Sequence, residues 1–313
     1  MEQRNLGMSG LRVSAVGLGC NNFGGRIDLE ATRKVVDKAL DAGITFFDTA
    51  DMYGNCGGSE EYLGAVLGER RKDIVLATKF GMPMDQAGTL KGASRRYIMS
   101  AVEASLRRLK TDWIDLYQLH KPDPSTPIAE TLRALDDLVR QGKVRYVGCS
   151  NLPAWQVVEA QWTARELGLH AFVSCQDEYS LLERDIEADL IPAMEAYKLG
   201  LIPYFPLAGG MLTGKYKRNA PLPQGVRLAN AKGMASRYLT DRNFGIVEKL
   251  EAFCAERGRS LLELAFSWLA ARAPVASVIA GATKPEQVEQ NVRALEWKLN
   301  ADDLAQIDKI TAS

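Results

Sequence analysis

A-V-G-L-G-C-N-N-F-G-G-R-I-D, from Ala15 to Asp28, is the stretch on which the fold turns. It opens as a short apolar strand, and Gly17 and Gly19 begin the G-x-G-x-x-G spacing of a dinucleotide-binding turn. Asn22 occupies the third glycine position, and Gly24 and Gly25 hold off the next helix until about Asp28. A doubly wound sheet runs its first strand straight into a helix at that turn, so the stretch argues against one.

Working outward, Ala15–Gly19 is the first of eight β-rich apolar runs, followed by Ile44–Phe47, Ile74–Thr78, Ile114–Leu119, Val144–Gly148, Ala171–Ser174, Leu201–Phe205 and Ser277–Ile279. Segments of helical period separate them, such as Ile98, Val102, Leu106 and Leu109, or Ile128, Leu132, Leu135 and Leu138. Thr126 before Pro127 predicts a capping hydroxyl with proline at the first helical position, and Ser94 caps the Ile98 helix. Strands apolar on both faces and joined by crossover helices make a parallel sheet. Eight such units predict an α/β chain folded as a (β/α)₈ barrel.

The remaining length has homes. Glu2 to Val13 predicts a hairpin closing one barrel end, an extra helix follows the last unit, and Lys215 to Tyr238 is an irregular insertion after strand seven. Its Lys215, Lys217, Arg218 and Arg227 either lie over an anionic cofactor or run out into solvent. No linker, repeat or low-complexity tract divides residues 1–313, which read as one domain.

With 46% hydrophobic and 25% charged residues the chain sustains a large core, and 39 basic against 39 acidic residues leave no field directed at nucleic acid or anionic membrane. A small-molecule partner is expected. No apolar leader or membrane span is legible, so a cytoplasmic protein is expected. Five scattered cysteines and two histidines predict neither disulfides nor a metal site; His170 precedes strand six, at the opposite barrel end from His120.

A barrel places its chemistry at the C-terminal strand ends. Those ends read Gly19 with Asn21, Asp48, Lys79, His120, Ser150 with Asn151, Gln176, Tyr204, and Gly281 with Thr283. Asp48, Lys79 and His120 end neighbouring strands, and Tyr53 lies one short loop beyond Asp48. An ammonium fixed by Asp48 favours the Tyr53 phenolate, making tyrosine a usable acid near neutral pH. Carbonyl reduction needs such a proton donor, and His120 is placed to hydrogen-bond the same oxygen. Taken singly, each residue reads better as a structural one, namely a cap or turn for Asp48, an ion pair for Lys79, a core histidine for His120 and a rim aromatic for Tyr53; their placement around one barrel mouth reverses those odds.

The chain resembles the aldo-keto reductases over essentially its whole length. The resemblance rests on G-I-T-F-F-D-T-A-D-M-Y-G (Gly43–Gly54), L-A-T-K (Leu76–Lys79), D-L-Y-Q-L-H (Asp115–His120) and V-G-C-S-N (Val147–Asn151). It continues through Q-D-E-Y-S from Gln176, Y-F-P-L (Tyr204–Leu207) and G-A-T-K-P-E-Q (Gly281–Gln287). It implies a catalytic tetrad of Asp48, Tyr53, Lys79 and His120, with Gly19 and Asn21 beside the cofactor. It further implies that Ser150, Asn151 and Gln176 bind the nicotinamide carboxamide and that Tyr204 stacks on the ring. Pro206, Leu207, Gly210, Leu212, Gly214 and Lys215 correspond to the pyrophosphate segment, and Gly281, Thr283, Lys284, Gln287 and Asn291 to the clasp on the adenosine phosphate. NADPH is thereby favoured over NADH, although the clasp lacks an arginine and Ala280 stands where the family often has proline.

Asn22, Phe23, Phe80 and Met82 are expected at the substrate mouth. The expected activity is NADPH-dependent reduction of aldehydes or ketones; the alternative is a cofactor-binding regulatory subunit, since some members accompany potassium channels. A metal-dependent hydrolase is disfavoured by the two histidines. Substrate and oligomeric state stay open.

Overall fold

The computed structural model describes residues 1–223 and 225–312, apart from the side chains of Asn230 and Lys232. A hairpin comes first, β1 Gln3–Asn5 paired antiparallel with β2 Arg12–Ser14. Eight parallel strands follow: β3 Val16–Gly19, β4 Phe46–Asp48, β5 Val75–Phe80, β6 Ile114–Leu119, β7 Val144–Ser150, β8 Ser174–Gln176, β9 Gly200–Leu201 and β10 Val278–Gly281. They pair in the order β10-β3-β4-β5-β6-β7-β8-β9. The ring closes where the Leu201 amide donates to the Pro274 carbonyl at 2.6 Å and the Ala276 amide donates to the Leu201 carbonyl at 2.9 Å. The barrel expectation holds.

Helices cover the outside: α1 Leu29–Asp41, α2 Tyr53–Leu67, α3 Arg95–Leu109, α4 Ile128–Arg140, α5 Ala154–Leu167 and α6 Leu190–Tyr197. Two short helices follow, α7 Arg227–Asn230 and α8 Lys232–Tyr238, then α9 Asp241–Ala255, α10 Leu261–Ala270, α11 Pro285–Arg293 and the additional α12 Ala301–Thr311. None among the described residues is long and apolar enough to cross a membrane. In α4, Leu132, Leu135 and Leu138 are buried on one stripe, each burial contributing about 1.5–3 kcal/mol.

Strand side chains alternate between two environments. Phe47, Leu76, Tyr117, Val147 and Val278 point out into the core shared with the helices. Phe46, Ala77, Leu116, Ile202 and Ile279 point in and pack with Leu6 and Val13 of the hairpin, which plugs the lumen. Gly7 makes the plug possible: its φ is +60°, and a Cβ there would stand 2.6 Å from the Lys198 carbonyl oxygen.

Several boundaries differ from the sequence reading. Strand six lies at Ser174–Gln176 rather than Ala171–Ser174, and strand seven shrinks from Leu201–Phe205 to Gly200–Leu201. Pro203 has no N–H for the ladder and Phe205 has a φ of +53°. Ser94 caps α3 as expected, and Asp28, near which the sequence reading begins the first helix, proves to be the cap of α1. Thr126 does not cap α4; its hydroxyl donates to Asp123 Oδ2 at 2.8 Å, and Pro127 takes the cap position. The insertion is not wholly irregular, since it carries α7 and α8.

Candidate active site

Two residues beyond the inward apolar layer, the same strands present Asp48, Lys79 and Gln118 to the lumen, with Gln176 at the end of β8. Period two therefore decides which side chains meet. Lys79 is wholly buried and donates to Asp48 Oδ2 at 2.6 Å and to the Thr49 carbonyl at 2.9 Å. Asp48 Oδ1 accepts from Gln118 Nε2 at 3.1 Å and Gln176 Nε2 at 2.8 Å. Burial opposes the Lys79 charge, but Asp48 and the facing Tyr53 raise its pKa above the ordinary value.

Tyr53 sits above this pair, its ring centroid 5.1 Å from Lys79 Nζ and 5.7 Å from the His120 ring, edge-on at 84°. After Tyr53 the chain turns left-handed through Gly54, Asn55 and Cys56, with φ of 69°, 61° and 65°, before the right-handed helix resumes. Asn55 and Cys56 each carry about 1–2 kcal/mol of strain in that conformation. Hydrogen bonds pin the loop: Thr49 Oγ1 and Ser59 Oγ lie 2.8 Å apart, and Ser59 Oγ donates to the Cys20 carbonyl at 2.8 Å.

Lys79 pulls Tyr53 toward the phenolate, the direction the sequence reading expects, but burial outweighs that pull. Burial pushes the phenol above its ordinary value; Lys79 pulls it down and Asp48 pushes it up. Tyr53 is a phenol, not a phenolate, at neutral pH. His120 is held at about 3 by burial and by the charges of Lys79 and Lys121, so its imidazole is neutral and carries one N–H.

The cleft above these groups has a volume of about 720 Å³. It is lined by Asp48, Tyr53 and His120, and by Gly19, Asn21, Asn22, Ser150, Asn151, Gln176 and Tyr204. Pro206, Leu207, Gly210, Lys215, Gly281, Thr283, Lys284, Gln287 and Asn291 line it further out. Lys79 lies beneath the floor. Leu212 is fully buried behind the wall and Gly214 ends a turn at φ +71°, so neither faces the cleft.

Phe23, Phe80 and Met82 do not line it either. Lys79 takes the inward position on β5, so Phe80 must point outward, where it packs on Tyr117 at 4.7 Å. Phe23 is fully buried under its loop.

A hydrogen-bonded chain runs along one wall. Asn151 Nδ2 donates to the His120 carbonyl at 3.1 Å and to Ser150 Oγ at 2.9 Å, Ser150 Oγ donates to the Gln176 carbonyl at 2.7 Å, and Tyr204 Oη donates to Asn151 Oδ1 at 2.8 Å. At the far end α11 begins at Pro285, and Gln287 Oε1 accepts from the Thr283 amide at 2.7 Å.

Sequence reasoning missed Gln118, Arg26 and Lys121. Gln118 was findable, because it stands two residues before His120 on one strand and so shares its face. Arg26 follows a glycine pair with no spacing signal; only the fold brings it to the cleft, beside Lys215 and Arg227. The four cations of the insertion divide. Lys215 and Arg227 line the cleft, whereas Lys217 pairs with Glu251 at 2.8 Å and Arg218 with Asp241 and Glu248 at 2.8 and 3.0 Å.

Comparison with known proteins bears on this arrangement. The chain is 39% identical over 302 residues to a probable voltage-gated potassium channel subunit beta of Oryza sativa subsp. japonica, covering 95% of this chain and 92% of the relative. It is 38% identical over 321 residues to the uncharacterized oxidoreductase YrpG of Bacillus subtilis (strain 168), covering 99% and 96%. To the L-glyceraldehyde 3-phosphate reductase of Escherichia coli (strain K12) it is 35% identical over 321 residues, covering 99% and 92%. The profile of the aldo/keto reductase family matches residues 15–312, and with the barrel and these relatives this shows that the chain belongs to that family.

Proposed function

We propose that this protein is a cytoplasmic, NADPH-dependent reductase of aldehydes or ketones, reversible toward alcohol oxidation. The observation that carries the reading is the fully buried Lys79–Asp48 pair, 2.6 Å apart, facing Tyr53 at the floor of an open cleft. A buried ion pair contributes little net stability, so its retention at a cleft floor favours a chemical role.

The cleft suits a nucleotide. Arg26, Lys215 and Arg227 lie together without a carboxylate partner among the described residues, and burial with their mutual repulsion lowers the Lys215 and Arg227 pKa values. A pyrophosphate relieves that repulsion. Gly281 permits close approach, since a Cβ there would meet Asn22 Nδ2 at 2.9 Å and Asn21 Oδ1 at 3.0 Å. Tyr204 offers a ring face, Ser150, Asn151 and Gln176 the polar groups for a carboxamide, and Thr283, Lys284, Gln287 and Asn291 the clasp for a 2′-phosphate. The nicotinamide, when bound, supplies the hydride.

The protein's own groups handle the oxygen. His120, neutral, donates one hydrogen bond and orients the carbonyl. Tyr53 keeps its proton until alkoxide character develops and then donates it from Oη, and the buried Lys79 charge stabilises the phenolate left behind. Asp48, fixed by Gln118 and Gln176, holds Lys79 in place.

Tyr53→Phe is expected to cut NADPH oxidation with an aromatic aldehyde by about 10²–10⁴-fold with NADPH affinity kept. Full turnover in this variant overturns the mechanism.

The relatives described as potassium channel β subunits support a second reading, a nucleotide-binding regulatory subunit. Tight NADPH binding with negligible turnover of every aldehyde tried would favour it.

A further inference from the structure

We infer that the substrate carries an anionic group, a carboxylate or a phosphate, held by Lys121 on the catalytic side of the cleft. The inference rests on the reductase reading above and adds a substrate class and a specificity-determining residue to it.

The cleft is strongly cationic. Arg26, Lys121, Lys215, Arg227 and Lys284 line it, against a single carboxylate among the described residues, Asp48, which Lys79 already neutralises. These cations form separate groups. Arg26 acts on both Lys215 and Arg227, and Lys284 stands at the start of α11; all four lie on the elements proposed to hold the nucleotide phosphates. Lys121 is elsewhere. It follows His120 directly at the end of β6, and its charge is felt by the His120 ring, the group placed on the reacting oxygen.

The loop that carries Lys121 is built to leave that charge free. Asp123, the nearest acid along the chain, is spent on backbone and hydroxyl donors. Its Oδ2 accepts from the Ala93 amide at 2.7 Å and Thr126 Oγ1 at 2.8 Å; its Oδ1 accepts from the Ser125 amide at 2.9 Å and Ser125 Oγ at 2.6 Å. These bonds tie the Lys121 loop to the Gly92–Ala93 segment and fix its course. Lys121 has no hydrogen bond or ion pair among the described residues and is exposed. An ammonium with no partner among the described residues, carried on a pinned loop one residue from the histidine placed on the reacting oxygen, selects a substrate with negative charge near its carbonyl.

The test compares three aldehydes with NADPH: 4-carboxybenzaldehyde, 4-formylphenyl phosphate and the neutral methyl 4-formylbenzoate. Each kcat/KM is divided by the aldehyde's borohydride reduction rate to remove intrinsic reactivity. The wild type is expected to favour at least one anion over the ester, and which anion wins separates carboxylate from phosphate. In Lys121→Met the anion-to-ester ratio is expected to fall about 10- to 100-fold, mainly through KM, and Lys121→Arg is expected to restore most of it. An ester reduced as well as both anions by the wild type, or an equal ratio in wild type and Lys121→Met, overturns this inference and leaves the reductase standing. Should Lys121→Met fail to fold, the wild-type ratio and Lys121→Arg decide. No turnover of any of the three by the wild type overturns the reductase reading, and this inference with it.

Discussion

At the N-terminal end of the barrel the inward side chains include Phe46, Ala77 and Leu116, sealed by Leu6 and Val13; two residues further along the same strands they are Asp48, Lys79 and Gln118. Both layers are buried, and they are held by different physics. The lower layer is stabilised by burial of apolar area, which tolerates any partner of suitable volume. The upper layer is stabilised only as long as its buried charges keep their partners, because an unpaired charge there is costly. The chemistry proposed above belongs with the second kind of layer, resting on the first as a foundation.

Substitutions that injure the two layers equally but differently would break or sharpen this contrast. Lys79→Met leaves Asp48 buried without its counter-ion and is expected to destabilise the fold by about 3–5 kcal/mol, with turnover lowered by about 10²–10⁴-fold. Asp48→Asn combined with Lys79→Met is expected to recover most of the stability and none of the turnover, since an amide still accepts from Gln118 and Gln176. Phe46→Ala, in the lower layer, is expected to remove a similar ~3–5 kcal/mol by opening a cavity. Its kcat per folded molecule should stay close to wild type. Denaturant titration with active-site-normalised kinetics measures all three, and a Phe46→Ala enzyme as inactive as Lys79→Met would erase the distinction between layers.

Both layers are partly legible in the sequence, for physical reasons. Ile114–Leu119 has the same bounds in sequence and structure because Ile114, Leu116, Tyr117 and Leu119 are all buried between helices and lumen. The meeting of Asp48, Lys79 and His120 followed from neighbouring strands ending together. Phe80 was misread because adjacent residues in a strand face opposite ways, and Lys79 had already claimed the inside. The pull of Lys79 on Tyr53 is legible and the net shift is not, because one neighbour's attraction is visible in a sequence whereas the depth of burial is not. Arg26 and Lys121 escaped notice because a cation in a loop acquires meaning only from what the fold sets opposite it.

Titration offers a milder probe. His120, in the upper layer, keeps its proton off down to about 3, while the unfolded chain takes one up near ~6.5. Stability is therefore expected to fall, by up to a few kcal/mol, as pH drops through that window. Asp51 stands just outside the barrel wall, and burial with the nearby Glu60 raises it to about 8, so the folded state holds a proton that the unfolded state releases above ~4. Its contribution has the opposite sign: stability present below ~4 is lost as pH rises toward about 8. His120→Asn should flatten the acid limb of a stability-against-pH curve, and Asp51→Asn the limb between pH 5 and 8. Unchanged limbs would show that neither group carries the shift its surroundings imply.

The smallest effects distinguish the two faces of the Lys215–Tyr238 insertion. Arg227 lies over the Phe205 ring at 4.9 Å and faces the cleft with no carboxylate partner among the described residues, whereas Lys217 points away and is paired with Glu251. An unpaired, half-buried guanidinium has most to gain from an arriving phosphate, about 10- to 100-fold in Kd for one charge-assisted contact. Lys217 is already neutralised in water, where an exposed pair is worth about 0–1 kcal/mol. Arg227→Ala is thus expected to raise the NADPH dissociation constant by that factor and to lessen its dependence on salt, with Lys217→Ala leaving both within error, as read by quenching of protein fluorescence. Equal effects from the two variants would mean that the insertion attracts the nucleotide as a diffuse positive surface, and that the inward turn of Lys215 and Arg227 has no bearing on binding.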